Sequence, residues 1–334
     1  MTRTRITINR RAALVGITAS AGAALLAACG GTEATPSLTP RIIPSPNAIP
    51  PGMPQGPATC TSGTVAIDGS TALKPLIDAA TKAYTQKCSG AQITVAGNGS
   101  SMGLGKAQAG LVQIGMADIF AEEQSAPVPV SQTGPSVTVD ARQLQDFQIV
   151  VQGFAIVTNA KGGPDSLTLD QLLSVFTGQV QNFSSVGGPS SAITVVTREK
   201  GSGSRAIFER YGLKGQATKG REFNSNGDLA NAVLQTPGAI GYVGLATFNQ
   251  TKGLKLVLLD GREPSVENIS DNSYPIWSYG HLYTKTPAAT MPTPTTKTLT
   301  QAFLDYLLSD DVQTTLIPPL GYIPVSRVKS RKTP

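Results

Sequence analysis

Three times this sequence runs a short β-branched segment into a loop of Gly, Ser and Thr and then into a stretch with helical character. The loops are Asp68-Gly69-Ser70-Thr71, Gly99-Ser100-Ser101-Met102-Gly103 and Arg198-Glu199-Lys200-Gly201-Ser202-Gly203-Ser204-Arg205. A strand–loop–helix join that recurs along a chain dictates an α/β fold with the loops at the carboxyl ends of strands, where ligands of open sheets sit. Each helix start leaves backbone N–H groups unpaired and carries about half a positive charge. Ser and Thr add donors there, and Gly lets the backbone come close to a ligand. Three such loops, Arg198 and a single His in the whole chain read as a site that binds an oxyanion rather than one that transforms it.

The rest of the pattern agrees. Strands are expected at 64–67, 92–96, 112–116, 193–197, 239–243, 254–259 and 274–283, with a long apolar run at 147–158 interrupted by Gly153. Helices are expected at 72–86, 103–109, 169–176, 205–211, 228–235 and 299–308. Two of the loops fall in the first half of the folded region and one in the middle. A ligand touched by all three lies between two lobes.

The N-terminus reads as an export signal. Arg3, Arg5, Arg10 and Arg11 precede an apolar run from Ala12 to Ala28, too short and too rich in small residues for a membrane span. Leu26-Ala27-Ala28-Cys29 closes it and resembles the lipobox of bacterial lipoproteins, which makes residues 1–28 a signal peptide and Cys29 the lipidated anchor. Arg10-Arg11 is a partial match to a twin-arginine signal. Removing residues 1–28 takes four Arg and no acid, so the formal charge of +6 falls to +2 and calls for no nucleic-acid partner. Arg327, Lys329, Arg331 and Lys332 form a modest basic tail. Residues 29–59 hold Cys29 and a Pro-rich tether that cannot bury enough surface to fold. Cys60 precedes the first strand and Cys88 follows the first helix, ends that lie on one side of a strand–loop–helix unit. A disulfide between them is expected, the alternative being two small buried thiols.

Other chemistries lack parts. Gly99-Ser100-Ser101-Met102-Gly103 matches the G-x-S-x-G elbow of hydrolases, with Ser101 as nucleophile, but His281 would have to complete the triad from a strand-like context. Gly105-Lys106 is followed by Ala107 where a phosphate-binding nucleotide loop needs Ser or Thr. Zinc lacks His and Cys ligands, and calcium lacks clustered carboxylates beyond Glu122-Glu123. No metal, cofactor or enzymatic activity is expected. Arg198 can grip an oxyanion with two parallel hydrogen bonds, the alternative being a surface pair with Glu199 or Glu209. Asp118 ends a strand among donors, with helix capping as its alternative role. A carboxylate there suits monohydrogen phosphate, which carries a proton to donate, and repels sulfate, which carries none.

At this point the chain resembles the phosphate-binding lipoproteins of bacterial phosphate-specific ABC transporters, from about Gly63 to about Leu320. The resemblance rests on Gly69-Ser70-Thr71-Ala72-Leu73-Lys74-Pro75-Leu76, Gly99-Ser100-Ser101, the run from Ile114 to Glu123, Phe176-Thr177-Gly178, Arg198 through Arg205, Gly238-Ala239-Ile240-Gly241-Tyr242-Val243 and Pro264-Ser265-Val266-Glu267-Asn268-Ile269. It implies a two-lobed fold of the periplasmic-binding-protein type, with two crossover strands and an anion site in the interlobe cleft. The lobes would be residues 60–146 plus 272–334, and 147–271.

The resemblance also implies high-affinity binding of inorganic phosphate outside the cytoplasmic membrane. Delivery to permease and ATPase subunits of an ABC transporter would follow, from a monomer lipid-anchored to the outer face of the cell membrane or held in the periplasm. The implied ligand set is Ser70, Thr71 and Ala72 from the first loop, Ser100 and Ser101 from the second, the acid Asp118, Arg198, and Ser202, Gly203 and Ser204 from the third. The alternatives are another tetrahedral oxyanion such as sulfate, or a secreted serine hydrolase using Ser101.

Three departures stand out. Lys200 occupies a position where some members carry an Asp that pairs with the site Arg, so an inward Lys200 would leave Arg198 less restrained. Ser204 replaces the usual Thr. Trp277-Ser278-Tyr279-Gly280-His281 replaces a Ser-Arg-Pro run, a change expected to touch the lobe surface and not the site.

Overall fold

The computed structural model describes residues 59–131, 135–160, 162–287 and 297–328. The signal segment 1–28, Cys29, the tether to residue 58, and Lys329, Arg331 and Lys332 of the basic tail lie outside the described residues. The first half is built from β1 (Gly63–Gly69), α1 (Lys74–Lys87), β2 (Ala91–Val95), α2 (Ser100–Ala109) and β3 (Ile114–Ala117), with β4 (Val128–Pro129) and β5 (Ser136–Val137) forming a small antiparallel pair. Strand β6 (Leu144–Asn159) leads into the second half. There follow β7 (Ser166–Leu167), α3 (Leu169–Phe176), β8 (Thr194–Arg198), α4 (Gly203–Ile207), β9 (Arg221–Phe223), α5 (Asn226–Gln235), β10 (Ala239–Gly244), α6 (Leu245–Gln250), β11 (Leu254–Leu259) and α7 (Val266–Ser270). Strand β12 (Trp277–Lys285) returns to the first half, and α8 (Leu299–Leu307) packs there.

The strands run in the order β2-β1-β3-β12-β6-β10-β8-β9, with β11 on β6. Parallel ladders lie at both ends, β1 with β2 and β3, and β8 with β9 and β10. Between them β6 is antiparallel to β12 from Leu144 to Gly153 and to β10 from Phe154 to Thr158. One 16-residue strand therefore belongs to both halves. Gly153 does not interrupt it, as the sequence suggested. Glycine is present there because a Cβ would stand 2.8 Å from Ile269 Cδ1 and 3.1 Å from Leu245 Cδ1 and Pro264 Cβ.

The elements follow local chemistry. In α1, Pro75 sits in the first turn, where its missing N–H costs nothing, and Leu76, Ile77, Ala80 and Tyr84 form the buried stripe. Ser202, Ser225, Ser265 and Thr298 each cap a helix through the side-chain oxygen. Helix α2 begins at Ser100, three residues before the expected start, because Gly99 at φ +90 turns the chain directly into it. The expected helix 205–211 is α4 prolonged by a π-turn at Phe208–Gly212. The strand expected from 274 starts at Trp277, after Pro275. Helices α6 and α7 carried too short a periodic signal to be expected. Cys60 and Cys88 form a disulfide with Cα atoms 5.2 Å apart, closing the strand–helix unit at the end of α1.

Candidate functional site

The site begins where β1 and β3 end side by side. Gly69, at φ +139, brings the first loop against β3, where a Cβ would stand 2.8 Å from Met116 N, and Ser70 N donates to Met116 O at 2.9 Å. Ser70 is buried. Its Oγ accepts from Ala72 N (3.1 Å) and Leu73 N (3.3 Å) and donates to Asp118 Oδ1. The Ala72 amide, expected to serve the ligand, is thus engaged by Ser70.

The second loop is tied to the first. Asp68 accepts from Asn98 N at 3.1 Å and Asn98 Nδ2 at 2.8 Å, and pairs with Lys106 at 2.5 Å. Lys106 therefore braces the loops instead of cradling a nucleotide. Ser100, buried in the first turn of α2, accepts from Asp118 N at 3.0 Å. That leaves its own O–H to donate elsewhere. Ser101 donates to Gln124 Oε1 through its hydroxyl, while its backbone N donates to Gly201 O at 3.0 Å.

The last contact comes from the second half, and it brings in the third loop. Gly203 packs onto the second loop so closely that a Cβ would stand 2.8 Å from Asp118 Cβ and 2.9 Å from Ser100 Cβ. Ser202 caps α4 by accepting from Arg205 N at 3.4 Å. Gly203 and Ser204 occupy the first turn, where a helix leaves amides unpaired. Ser204 Oγ donates to Asp118 Oδ2 at 3.0 Å.

Asp118 is the centre of this arrangement. It is 2 % exposed and accepts from Ser70, Ser204 and, at 2.8 Å, Gln152 Nε2. Burial pushes its pKa up, and those three hydrogen bonds and the Arg198 charge oppose the rise. Its role is not helix capping.

Arg198 ends β8 and is 1 % exposed. Its Nε donates to Phe223 O at 3.1 Å and its Nη2 to Asn224 O at 2.6 Å. Its Nη1 is buried with no hydrogen-bond partner among the described residues. Burial lowers the pKa, while Tyr242 and then Asp118 raise it. The surface-pair alternative fails: Glu209 pairs with Arg205, which also donates to Arg198 O at 2.9 Å. Lys200 is exposed, so it adds no charge to the site. The two carbonyls restrain Arg198 instead.

Three residues here escaped the sequence reading. Asn226 opens α5 and its N and Nδ2 donate to Thr71 Oγ1 at 3.3 and 3.0 Å. Thr71 Oγ1, occupied as an acceptor, keeps its O–H for the site. The signal for Asn226 was present in Ser225 followed by Asp228, a helix start. Gln152 lay in an apolar run with nothing to mark it. Tyr322 donates to Ala72 O at 2.5 Å from near the C-terminus, a contact of sequence separation 250. A fourth finding overturns an expectation. Trp277 to His281 is buried on β12, and Ser278 accepts from Gln152 at 3.4 Å, so this departure reaches the support of the site and not a lobe surface.

The hydrolase constellation does not assemble. His281 Nδ1 lies 2.9 Å from Asp146 Oδ1, its ring packed on Phe120 and Tyr283, and no hydrogen bond joins it to Ser101 among the described residues. No cluster of three or more His, Cys, Asp or Glu suited to a metal occurs among the described residues.

Residues 54–311 match the PBP superfamily domain. The chain is 36 % identical over 269 residues to the phosphate-binding protein PstS of Bacillus subtilis (strain 168), covering 80 % of this chain and 83 % of that one. The chain belongs to the PstS family. The PstS of Borreliella burgdorferi is 26 % identical over 64 % of this chain and 75 % of its own length. Among solved structures, an ABC-type phosphate transport receptor from Vibrio cholerae superposes with TM-score 0.57 at 26 % identity, covering 78 % of this chain and 99 % of the other. A putative phosphate ABC transporter substrate-binding protein with bound phosphate from Clostridium perfringens superposes with TM-score 0.64 at 24 % identity, over 78 % and 99 %. That likeness shows the two-lobed fold of the PstS family. The midpiece of its sheet, β6 with β12, forms the crossover between the two lobes.

Proposed function

We propose that this chain binds inorganic phosphate in the cleft between its lobes, outside the cytoplasmic membrane, and hands it to the permease and ATPase subunits of an ABC transporter. The observation that carries the reading is Arg198 Nη1, buried and without a hydrogen-bond partner among the described residues, on a guanidinium that interacts with the charge of Asp118. A guanidinium N–H left unpaired in a dry site is costly unless an anion completes it. In the cluster that meets at Asp118, Thr71 and Ser100 keep donating O–H groups because their oxygens already accept, and the α4 first turn adds amides from Gly203 and Ser204. Ser70, Ser202 and Ala72 hold the loops, and Ser101 ties the second loop to the third. Asp118 accepts the proton that monohydrogen phosphate carries, which disfavours sulfate. No residue performs chemistry on the ligand, and no metal or cofactor is required.

The lobes assigned on this reading are residues 60–146 with 272–334, and residues 147–271. Cys29 carries the lipid, and the Pro-rich segment after it spaces a monomeric body from the membrane. The identity of the relatives as phosphate-binding and phosphate-transport proteins supports the ligand and the transporter; the N-terminal sequence supports the anchor. No helix among the described residues is long and apolar enough to cross a membrane.

Calorimetric titration of the mature protein with phosphate, sulfate and arsenate tests the function. Phosphate is expected to bind with a micromolar or tighter Kd, about −8 kcal/mol or more. Arg198→Ala is expected to weaken it by roughly 2–5 kcal/mol, as for a truncated buried charge pair. Comparable affinity for sulfate at neutral pH, or wild-type affinity in the Arg198 variant, overturns the assignment.

A further inference from the structure

The two strands that connect the lobes do more than connect them. In the β6–β12 ladder, Gln152 lies directly opposite Ser278. Gln152 is 1 % exposed, and its Nε2 donates to Asp118 Oδ1 at 2.8 Å and reaches Ser278 Oγ at 3.4 Å. Its Oε1 is buried with no partner among the described residues. An amide has two donors on one side and an acceptor on the other. Both acceptors available to Gln152 lie on its nitrogen side. Turning the amide over would set Oε1 against Asp118 Oδ1, two acceptors with no proton between them.

The other donors to Asp118 differ in kind. Ser204 presents a hydroxyl that can rotate to accept as readily as it donates, and it tolerates Asp118 in either protonation state. Ser70 Oγ already accepts from Ala72 N and Leu73 N, so it has only its O–H to give to Oδ1 and reinforces Gln152 there. The Gln152 nitrogen can only donate, and so it tolerates a proton on Oδ1 badly. A carboxyl that carried its own proton could donate to a fully deprotonated oxyanion, and the distinction between phosphate and sulfate would be lost.

We propose that Gln152 is a specificity-determining residue: its N–H keeps Asp118 an acceptor only, so that a ligand has to bring its own proton. The inference rests on the phosphate reading above and deepens it. Gln152 acts through Asp118 and is a positioning residue.

The test is titration of wild type, Gln152→Glu and Gln152→Met with phosphate and with sulfate at neutral pH. The Glu variant faces Asp118 with a second carboxyl. Two carboxyls at this separation in a dry site retain a proton between them, as acid dyads do. When Asp118 carries that proton, sulfate can accept from it. The expected result is a phosphate affinity lowered roughly ten- to hundredfold, by loss of a hydrogen bond to a charged group, and measurable sulfate binding where wild type shows none. Met keeps the volume and removes the donor without adding a proton. It is expected to weaken phosphate and, because Asp118 loses the donor that favours its carboxylate, to admit some sulfate.

A purely structural role for Gln152 would weaken phosphate and create no sulfate binding in either variant. Wild-type selectivity in the Glu variant overturns the inference, as does complete exclusion of sulfate by the Met variant. If the Glu variant fails to fold, a Met variant with wild-type phosphate affinity overturns it. Wild-type protein that binds neither anion overturns the functional reading and this inference with it, whereas wild-type protein that binds phosphate leaves the inference to stand or fall on the variants alone.

Discussion

Asp118 shows how one residue sets stability against function. Burial raises its pKa above the usual 3.8, so the folded chain binds this proton more tightly than the unfolded chain does. A group with a raised folded pKa contributes stability below its unfolded value and loses it as pH rises through the folded value. Ligand-free protein is therefore expected to lose stability through Asp118 as pH rises from about 4 toward neutrality. Asp118→Asn removes that loss. The variant should melt higher than wild type near neutral pH without ligand, by about 2–4 °C for each kcal/mol recovered. It should also bind phosphate at least about tenfold more weakly, because a charge-assisted acceptor has become a neutral one. Calorimetric scans across that pH range check the first part and titration the second. A variant that melts lower than wild type at every pH would show that the carboxylate is a net stabiliser in the empty site.

At the scale of elements, the strand–loop–helix joins were legible because their chemistry is local. Gly69, Gly99 and the Ser-Gly-Ser of the third loop announce themselves by composition, and Asp118 by its place after Ile114-Gly115-Met116-Ala117. The roles of Gln152 and Asn226 were not legible, even with Ser225 and Asp228 marking a helix start at Asn226, since they depend on which strand lies beside β6 and on which lobe faces α5. Those are contacts of sequence separation 34 and 155, and periodicity carries no information about them. Lys200 illustrates the same limit: only the structure shows it exposed, with backbone carbonyls holding Arg198. The disulfide lies on the legible side, because α1 and the strand before it fix both ends. It closes a separation of 28 residues. On the chain-entropy relation, replacing Cys60 and Cys88 by Ser should lower stability by about 3–4 kcal/mol. Denaturant titration of the double variant measures this. Phosphate affinity should be unchanged, since the bond lies at the far end of α1 from Thr71.

For the whole molecule the decisive contacts are those that cross between lobes. Ser101 N donates to Gly201 O, Ser204 donates to Asp118, and Asn226 donates twice to Thr71. The first uses backbone alone, and the second belongs to the ligand acceptor. The third uses a side chain that the ligand does not need. Asn226 is 1 % exposed and also accepts from Gly244 N at 3.1 Å, so its carboxamide is anchored in the second lobe and offers Nδ2 to the first. A contact made only when the lobes meet shifts the balance between open and closed forms by its own free energy. Ligand affinity then scales with the fraction of closed protein. Asn226→Ala keeps the backbone N–H donation to Thr71 and removes the carboxamide, a loss of roughly 1–3 kcal/mol. Phosphate should bind about five- to a hundredfold more weakly, mainly through faster release. Small-angle scattering should show ligand-free variant more expanded than ligand-free wild type, and the two equally compact once phosphate saturates them. Identical scattering without ligand, together with unchanged affinity, would mean that backbone contacts alone set the closure and that Asn226 serves only to hold Gly244 within its own lobe.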